Sequence, residues 1–507
     1  MFPGSSLLKL FAVMEESLDL NQFRSGDVHL WPIARSCFGA KKIDNNTAPN
    51  ERPAELRHLD DAIDARYLTL IAASPPSPDR PQSAFGLEKL TRVSTGGGVL
   101  IFTRSEDHYL NTPRGFYAPV LDPWVGVAAE RWDVRKVELA GPRFSATQPR
   151  VHATDSFQPR PIDQARVMEL HGLLVEAETL ALIVSKWLDQ NLGYHYPNFA
   201  DDLGEYLKLL WIEKEGLGEL LDTTRPSLVL TSCNYLRPTA SITWAARERG
   251  IPVADVQHGG NGPFHMGYNH WRHTPSQGYL VNPDLYFVWD AISANNIARW
   301  LPVGTEKPDI VVTGRFDLEA TRLAYMSNEK SSPLDIATYG STKTVLVTLQ
   351  PLPSTGLTPL LLDVMKQAPA DWTWLIRSHP MAVAWKRADM MPETIEATLR
   401  AHGIQRAECR FSTALPLAVL LPLVNYHVTG FSGTVQECAA FGIRTTFSHP
   451  SAHFSFPYYL DAGFADFATT PDSVLESIGR PAPDHCKMTE MPRDRDCPRQ
   501  VLERILG

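Results

Sequence analysis

The 507-residue chain sets 48 Lys and Arg against 57 Asp and Glu, a formal net charge of -9. Such a balance offers no basic field to neutralise a phosphate backbone, which excludes nucleic acid as a main partner. The length, with 43% hydrophobic residues, calls for two or three domains, each with its own core.

The six cysteines, at 37, 233, 409, 438, 486 and 497, form no CxxC pair, which argues against a zinc ribbon or a disulfide framework and for reduced cytosolic thiols. Near the start, the apolar run from Leu7 to Met14 is broken by Lys9 and followed by Glu15 and Glu16, a poor signal peptide. The stretch from Ala414 to Val424 contains Pro416 and Pro422 and falls well short of the roughly 20 residues that span a bilayer. A soluble cytoplasmic protein is expected, with docking at the inner face of the membrane left open through a patch such as Trp271, Arg272 and His273. The oligomeric state is not set by the sequence.

In chain order, the first part reads as short apolar strands between polar, proline-bearing loops such as 73–81. Asp60, Asp61 and Asp64 read as a solvated helix face. The triple glycine Gly96 to Gly98 precedes a strand over 98–103; in a phosphate-binding loop the glycines follow the strand, so a plain turn is expected. Val167, Leu170, Leu173, Leu174, Ala177, Leu180 and Ile183 recur at helical spacing within 162–192, and a second helix is predicted over 204–221. The pattern then alternates: strand 227–231, helix 239–249 stopped by Gly250, strand 252–256, strand 285–288. After a polar connection over 301–308 the rhythm restarts with strands 310–313, 344–348, 372–376 and 426–429, the last leading into a helix near Thr434. Strands alternating with helices imply parallel βαβ units, divided here as 1–305, 306–480 and a tail, 481–507, expected to pack back on the first domain.

Three segments at predicted strand ends carry chemistry. VADVQHGG, 253–260, brings Asp255, Gln257 and His258 out where an α/β sheet receives ligand, with Gly259 and Gly260 allowing close backbone approach. The carboxylate and imidazole suit nucleophilic or acid–base work, and equally suit capping of the next helix. RSHP, 377–380, offers the Arg377 fork and His379 to a phosphate. VTGFSGTVQE, 428–437, turns from strand to helix, so Ser432, Gly433, Thr434 and the first amides make an anion site, and Glu437 could meet a sugar or ribose hydroxyl. Ordinary N-capping with a Glu437 capping box explains the same residues. Gly430-Phe431-Ser432-Gly433-Thr434 ends in Thr, unlike a hydrolase elbow. His265, His270 and His273 lack ligand spacing, so no metal is expected. Gln350, after strand 344–348, is placed in the same crevice.

Taken in order, DVQHG at 255–259, VTG at 312–314, RSHP and SGTVQE at 432–437 resemble GT-B capsule and surface-carbohydrate glycosyltransferases, above all those using CMP-activated acids, the Kdo transferases and bacterial sialyltransferases. The likeness covers residues 225–450; upstream, LWPIAR at 30–35 and VLIFTR at 99–104 look more loosely like the acceptor-side domain. It implies an α/β fold of GT-B architecture, two Rossmann-like domains facing across a cleft, the first acceptor-side and the second binding the nucleotide sugar. It also implies a donor, CMP-Kdo or another CMP-sugar, a glycan or lipid-linked glycan acceptor, and no catalytic metal. Carried over, His379, Ser432 and Thr434 hold the nucleotide phosphate; with the strand-end residues, the expected site has Asp255, His258 and His379 as catalytic and Gln257, Gly259, Gly314, Arg315, Gln350, Arg377, Ser432, Gly433, Thr434 and Glu437 on the donor. This chain has Ser-Gly-Thr where many relatives have adjacent hydroxyls, which makes Ser432 the safer phosphate ligand. Asp255 would be base in an inverting enzyme or nucleophile in a retaining one, with Glu176, Glu178, Asp201 and Asp202 as reserve carboxylates. Three rival readings stand beside it: a nucleotide-sugar 2-epimerase, a polyol-phosphate transferase, and a non-catalytic glycan- or nucleotide-binding protein.

Overall fold

The computed structural model describes residues 4–42, 54–78, 97–108, 110–112, 114–139, 149–158, 167–263, 265, 267–302, 305–326, 341–350, 356–379, 388–480 and 496–507. Gly96, Pro380, Cys486 and the end of the 73–81 loop lie outside them. The chain forms two compact units: one runs to Gly314 and takes back the C-terminal helix, and the other begins at Arg315.

The first unit holds a seven-stranded sheet of β1 (Val99–Arg104), β2 (Val134–Leu139), β3 (Asp155–Phe157), β4 (Leu228–Thr231), β5 (Val253–Val256), β6 (Leu285–Val288) and β7 (Asp309–Val312). Their order across the sheet is β7-β6-β5-β4-β1-β2-β3, every pair parallel. Strands β4, β5 and β6 are buried along their whole length, which is why β6 reads as a continuous apolar run rather than an alternating one. The second unit builds a six-stranded sheet from β8 (Lys343–Thr348), β9 (Trp372–Arg377), β10 (Ala407–Glu408), β11 (Tyr426–Thr429), β12 (Arg444–Phe447) and β13 (Ala465–Phe467). It too is wholly parallel, in the order β10-β9-β8-β11-β12-β13.

Both orders are the doubly wound 3-2-1-4-5-6 arrangement of a Rossmann sheet, with one added edge strand in the first. The expected α/β class and its pair of Rossmann-like units are thus present. In such sheets a ligand crevice opens beyond the strand ends where the winding reverses. That switch point falls between β1 and β4 in the first unit and between β8 and β11 in the second.

Two expectations are corrected. The strand expected to open the second domain is β7, which pairs with β6 from Leu285↔Asp309 to Val288↔Val312 and so closes the first sheet. Alternation of strand and helix does not mark where one winding stops, and the helix Ala291–Ala298 carries the first winding one strand further. Residues 4–73, read as strands and loops, instead form α1 (Gly4–Ser17), α2 (Trp31–Lys42) and α3 (Ala54–Ala73). Leu7, Leu8, Leu10, Phe11, Ala12 and Met14 are all buried, leaving α1 without the polar stripe that reveals helical period. These helices pack with α4 (Val167–Leu192) and α5 (Phe199–Thr224) in one core containing Phe11, Trp31, Phe38 and Trp211. Among the described residues, no helix is long and apolar enough to cross a membrane.

Candidate functional site

At the first unit's switch point, the segment leaving β4 places Cys233, Asn234 and Tyr235 beside Arg104, the last residue of β1. Arg104 forms an ion pair with Asp107 and reaches Cys233 Sγ at 3.6 Å, spanning the reversal. Cys233 itself sits at φ 60°, and burial pushes its thiol up to about 12. One strand over, β5 carries Asp255 just before its last residue. This carboxylate is 1% exposed, and both oxygens are engaged: Oδ1 accepts from the Asn234 amide at 3.0 Å and Oδ2 from the Tyr268 hydroxyl at 2.7 Å. Burial raises Asp255 to about 7 against the opposing pull of Tyr268, Asn234 and Arg104.

His258 follows between two phenols, with Nε2 at 3.2 Å from the Tyr235 hydroxyl and Nδ1 at 3.5 Å from that of Tyr268. Burial, then the Arg104 charge, hold it down to about 4, so the imidazole is neutral at physiological pH. His265 stacks on Tyr268 at 4.5 Å between ring centres and is held to about 3 by burial and by His258. The cluster therefore contains a carboxyl that titrates near neutrality beside a neutral imidazole, a pairing able to take and return protons. Gly267 is required for its shape, because a Cβ there would overlap the Tyr235 ring.

Gln257 is buried; its Oε1 accepts from the Trp289 amide at 2.9 Å and its Nε2 donates to Gly259 O and Ser293 Oγ. A Cβ on Gly259 would meet nothing within 4 Å. Gly314 takes φ 76°, a backbone that favours glycine. The three further histidines part company: His270 stacks on Trp300 at 3.8 Å, His273 pairs with Glu16 at 2.9 Å, and only His265 joins the cluster. Trp271 is buried in the helical core, so the patch proposed for membrane docking does not present this ring outward. No group of three or more metal-ligating side chains occurs among the described residues.

In the second unit the switch point lies between Gln350, after β8, and the turn after β11. Gln350 Oε1 accepts from the Phe431 amide at 2.8 Å, fixing that turn. The short helix α6 (Thr434–Ala440) follows, with Gly433 as its cap residue and no side-chain cap bond. Ser432 Oγ and Thr434 Oγ1 lie 3.0 Å apart, a pair of half-buried hydroxyls at the strand end. Glu437 pairs with buried Arg315 at 3.4 Å, and Arg315 also pairs with Asp317 at 3.0 Å. Burial raises the Glu437 carboxyl while Arg315 opposes the rise. Arg377, expected as a phosphate fork, instead directs Nη1 at the carbonyls of Ser412, Thr413 and Leu415, the exit of helix Arg410–Ala414. His379 is half-buried and held to about 4 by burial and Arg377.

Tyr235, Tyr268, Asn234 and Arg104 had no site role in the sequence reading. Asn234 and Tyr235 lie just beyond the predicted strand 227–231, a signal that was available; Tyr268 meets Asp255 through tertiary folding alone, which leaves no period or motif.

The chain matches no protein family and no curated protein. Solved structures similar to it include the UDP-GlcNAc 2-epimerase from Neisseria meningitidis bound to UDP-GlcNAc, with 13% identity, 80% of this chain and 99% of that one covered, and a TM-score of 0.49. UDP-N-acetylglucosamine 2-epimerase from Rickettsia bellii shows 14% identity over 80% of this chain and 95% of that one, TM-score 0.44. The glycosyltransferase of kitacinnamycin shows 14% identity over 80% and 96%, TM-score 0.41.

Proposed function

We propose that the chain is an enzyme of nucleotide-activated sugars that works by acid–base chemistry. The observation that carries this reading is the coincidence of both candidate clusters with the switch points of two doubly wound sheets, where such folds take their ligands. Proton transfer is assigned to Asp255, Tyr268 and His258, and the nucleotide phosphate to Ser432, Thr434 and His379. Glu437, steadied by Arg315, is assigned to a ribose or sugar hydroxyl.

Within that class we favour epimerisation at C2 over Kdo transfer from CMP-Kdo. A retaining transferase would need Asp255 to form a bond to the sugar itself, which its buried, hydrogen-bonded oxygens oppose, whereas a proton can pass to and from it through Tyr268 and His258. Epimerisation needs groups that both remove and restore a proton, which a carboxyl near 7 beside a neutral imidazole supplies. Neither the geometry nor the similar solved structures support CMP-Kdo in particular, and capsule or lipopolysaccharide assembly carries no independent support.

Incubating the purified chain in D2O with UDP-GlcNAc alone, and separately with CMP-Kdo plus a glycan acceptor, tests the assignment by NMR. A C2 epimer carrying deuterium, formed without acceptor, is the expected result. Nucleotide release that requires acceptor would restore the transferase reading, and absence of turnover together with absence of UDP, CMP, GDP or TDP binding would remove the enzyme reading altogether.

A further inference from the structure

We propose that Asp255 sets the tautomer of His258 through the Tyr268 hydroxyl, and thereby decides which way the Tyr235 hydroxyl proton points. Four side chains form one unbroken line: Tyr235 Oη to His258 Nε2 at 3.2 Å, His258 Nδ1 to Tyr268 Oη at 3.5 Å, Tyr268 Oη to Asp255 Oδ2 at 2.7 Å. The line is anchored at its buried end, because Asp255 Oδ1 accepts from the Asn234 backbone amide, a donor that cannot reverse. Every other link joins a group able to donate or accept, and only one arrangement satisfies each protonation state.

With Asp255 ionised, Oδ2 must accept, so Tyr268 donates to it. The Tyr268 oxygen then accepts from His258 Nδ1–H, and His258 Nε2 accepts from the Tyr235 hydroxyl. With Asp255 protonated on Oδ2, each link reverses. Asp255 donates to Tyr268, Tyr268 donates to His258 Nδ1, and His258 Nε2–H donates to Tyr235. The Tyr235 proton is then turned away from the imidazole, to the side of the half-buried phenol where Cys233 is its other hydrogen-bond partner. The two states differ by one proton: a proton delivered from solvent forms a new O–H bond on Tyr235 as its former proton moves to Nε2, the Nδ1 proton moves to Tyr268, and the Tyr268 proton moves to Asp255. Running backward, Asp255 releases its proton and the Tyr235 hydroxyl hands one outward.

The surroundings keep the titration on Asp255. Arg104 favours the carboxylate and disfavours an imidazolium, while its partner Asp107 acts in the opposite sense on His258. Cys233, Tyr235, Tyr268 and Tyr286 stay protonated because burial raises all four. His265, against both Tyr235 and Tyr268, stays neutral. The imidazole of His258 is held to about 4 and Asp255 raised to about 7, so His258 changes tautomer without changing charge. The line itself rests on the hydrogen bonds alone; its use in turnover rests on the nucleotide-sugar reading.

Nitrogen NMR of the full chain carrying isotope-labelled histidine, with the His258 signals identified from a His258→Gln variant, reads the tautomer directly. The expected result is Nδ1–H at about pH 8 and Nε2–H at about pH 6, with the ratio of the two changing about tenfold per pH unit near the midpoint. Asp255→Asn should lock the Nε2–H form at every pH, since its amide nitrogen can only donate to Tyr268. Tyr268→Phe should abolish the pH response. One unchanging tautomer in the unaltered chain, or a response that survives Tyr268→Phe, would overturn the proposal. Should Tyr268→Phe lose its near-ultraviolet dichroism, Asp255→Asn decides: a fixed Nε2–H supports the line and a continuing response refutes it. A tautomer response in a chain that turns over no nucleotide sugar would sink the functional reading and leave the line standing.

Discussion

The Arg35 guanidinium stacks 3.9 Å from the centre of the Trp271 ring, and its nitrogens hold Glu15 at 3.1 Å and the carbonyls of Asn269 and His270. Glu15 completes the clasp by accepting from the Trp31 indole and from the Arg272 amide, each at 2.8 Å. Helices α1 and α2 thus grip the backbone that continues from Tyr268, including His270 at φ 63°. Both charges are buried, so removing one leaves the other uncompensated, at a cost of about 3–5 kcal/mol. Arg35→Ala is expected to lower the unfolding free energy by that amount in denaturant titration. Arg35→Lys should recover little, because an ammonium cannot reproduce the planar fork or the stack. Full recovery by lysine would show that charge alone holds the loop.

Asp255 makes a separate, pH-dependent contribution. Its folded value of about 7 lies above the unfolded value of about 3.9, so the folded state holds this proton more tightly. The associated stability is fully present below about pH 4 and is lost as pH rises through about 7. Asp255→Asn removes that loss and is expected to be more stable than the unaltered chain at about pH 8. A rise from about 4 to about 7 corresponds to at most about 4 kcal/mol, and the advantage should vanish near pH 4. Chemical denaturation across that range checks it; an asparagine variant that is less stable at high pH contradicts a buried carboxyl held near neutrality.

His427 in β11 acts in the opposite direction. It bridges Thr348 Oγ1 at 2.8 Å and Thr445 Oγ1 at 3.0 Å inside the second sheet, and burial holds it down to about 3. Its folded value is below the unfolded 6.5, so stability is undiminished above about pH 6.5 and falls as pH drops toward 3. His427→Leu strands two hydroxyls and should cost about 1–3 kcal/mol at neutral pH. Over the acid range, however, its stability curve should be shallower by about 1.4 kcal/mol per pH unit. Parallel curves for the two chains would mean that His427 is not the group resisting protonation.

The parts of the fold that were legible are those where one physical signal acts alone. Strand 285–288, Leu-Tyr-Phe-Val, is buried on both faces, so an unbroken apolar run announced it. Gly250, at φ 66°, marked a helix end because few other residues adopt that backbone. Asp255 and His258 were visible as polar residues at a strand end. Their relation was not, because Tyr268 is supplied by a loop whose course depends on Arg35 and Glu15, more than two hundred residues earlier in the chain. Arg377 is less legible for a related reason: a cation at a strand end looks the same whether it awaits a phosphate or closes a neighbouring helix, and the bonds from its Nη1 to the carbonyls of 412–415 appear only in the fold.

That distinction separates Arg377 from Ser432 experimentally. Losing the bonds from Nη1 to three carbonyls should cost the Arg377→Ala variant about 1–3 kcal/mol of stability, while nucleotide affinity, measured by calorimetry well below the melting temperature, changes by less than about twofold. Ser432 presents its hydroxyl 3.0 Å from that of Thr434 and accepts a long hydrogen bond from the Thr434 amide at 3.3 Å, so Ser432→Ala should cost no more than about 1 kcal/mol of stability. Under the nucleotide-sugar reading it removes a hydrogen bond to a charged phosphate, worth about 1.5–3 kcal/mol, and weakens nucleotide binding by about tenfold or more. Both outcomes follow from where the two side chains direct their polar atoms. The reverse pattern, a stable Arg377→Ala protein that no longer binds nucleotide beside an unimpaired Ser432→Ala protein, would require Arg377 to leave its carbonyls when ligand arrives and would return the phosphate to RSHP.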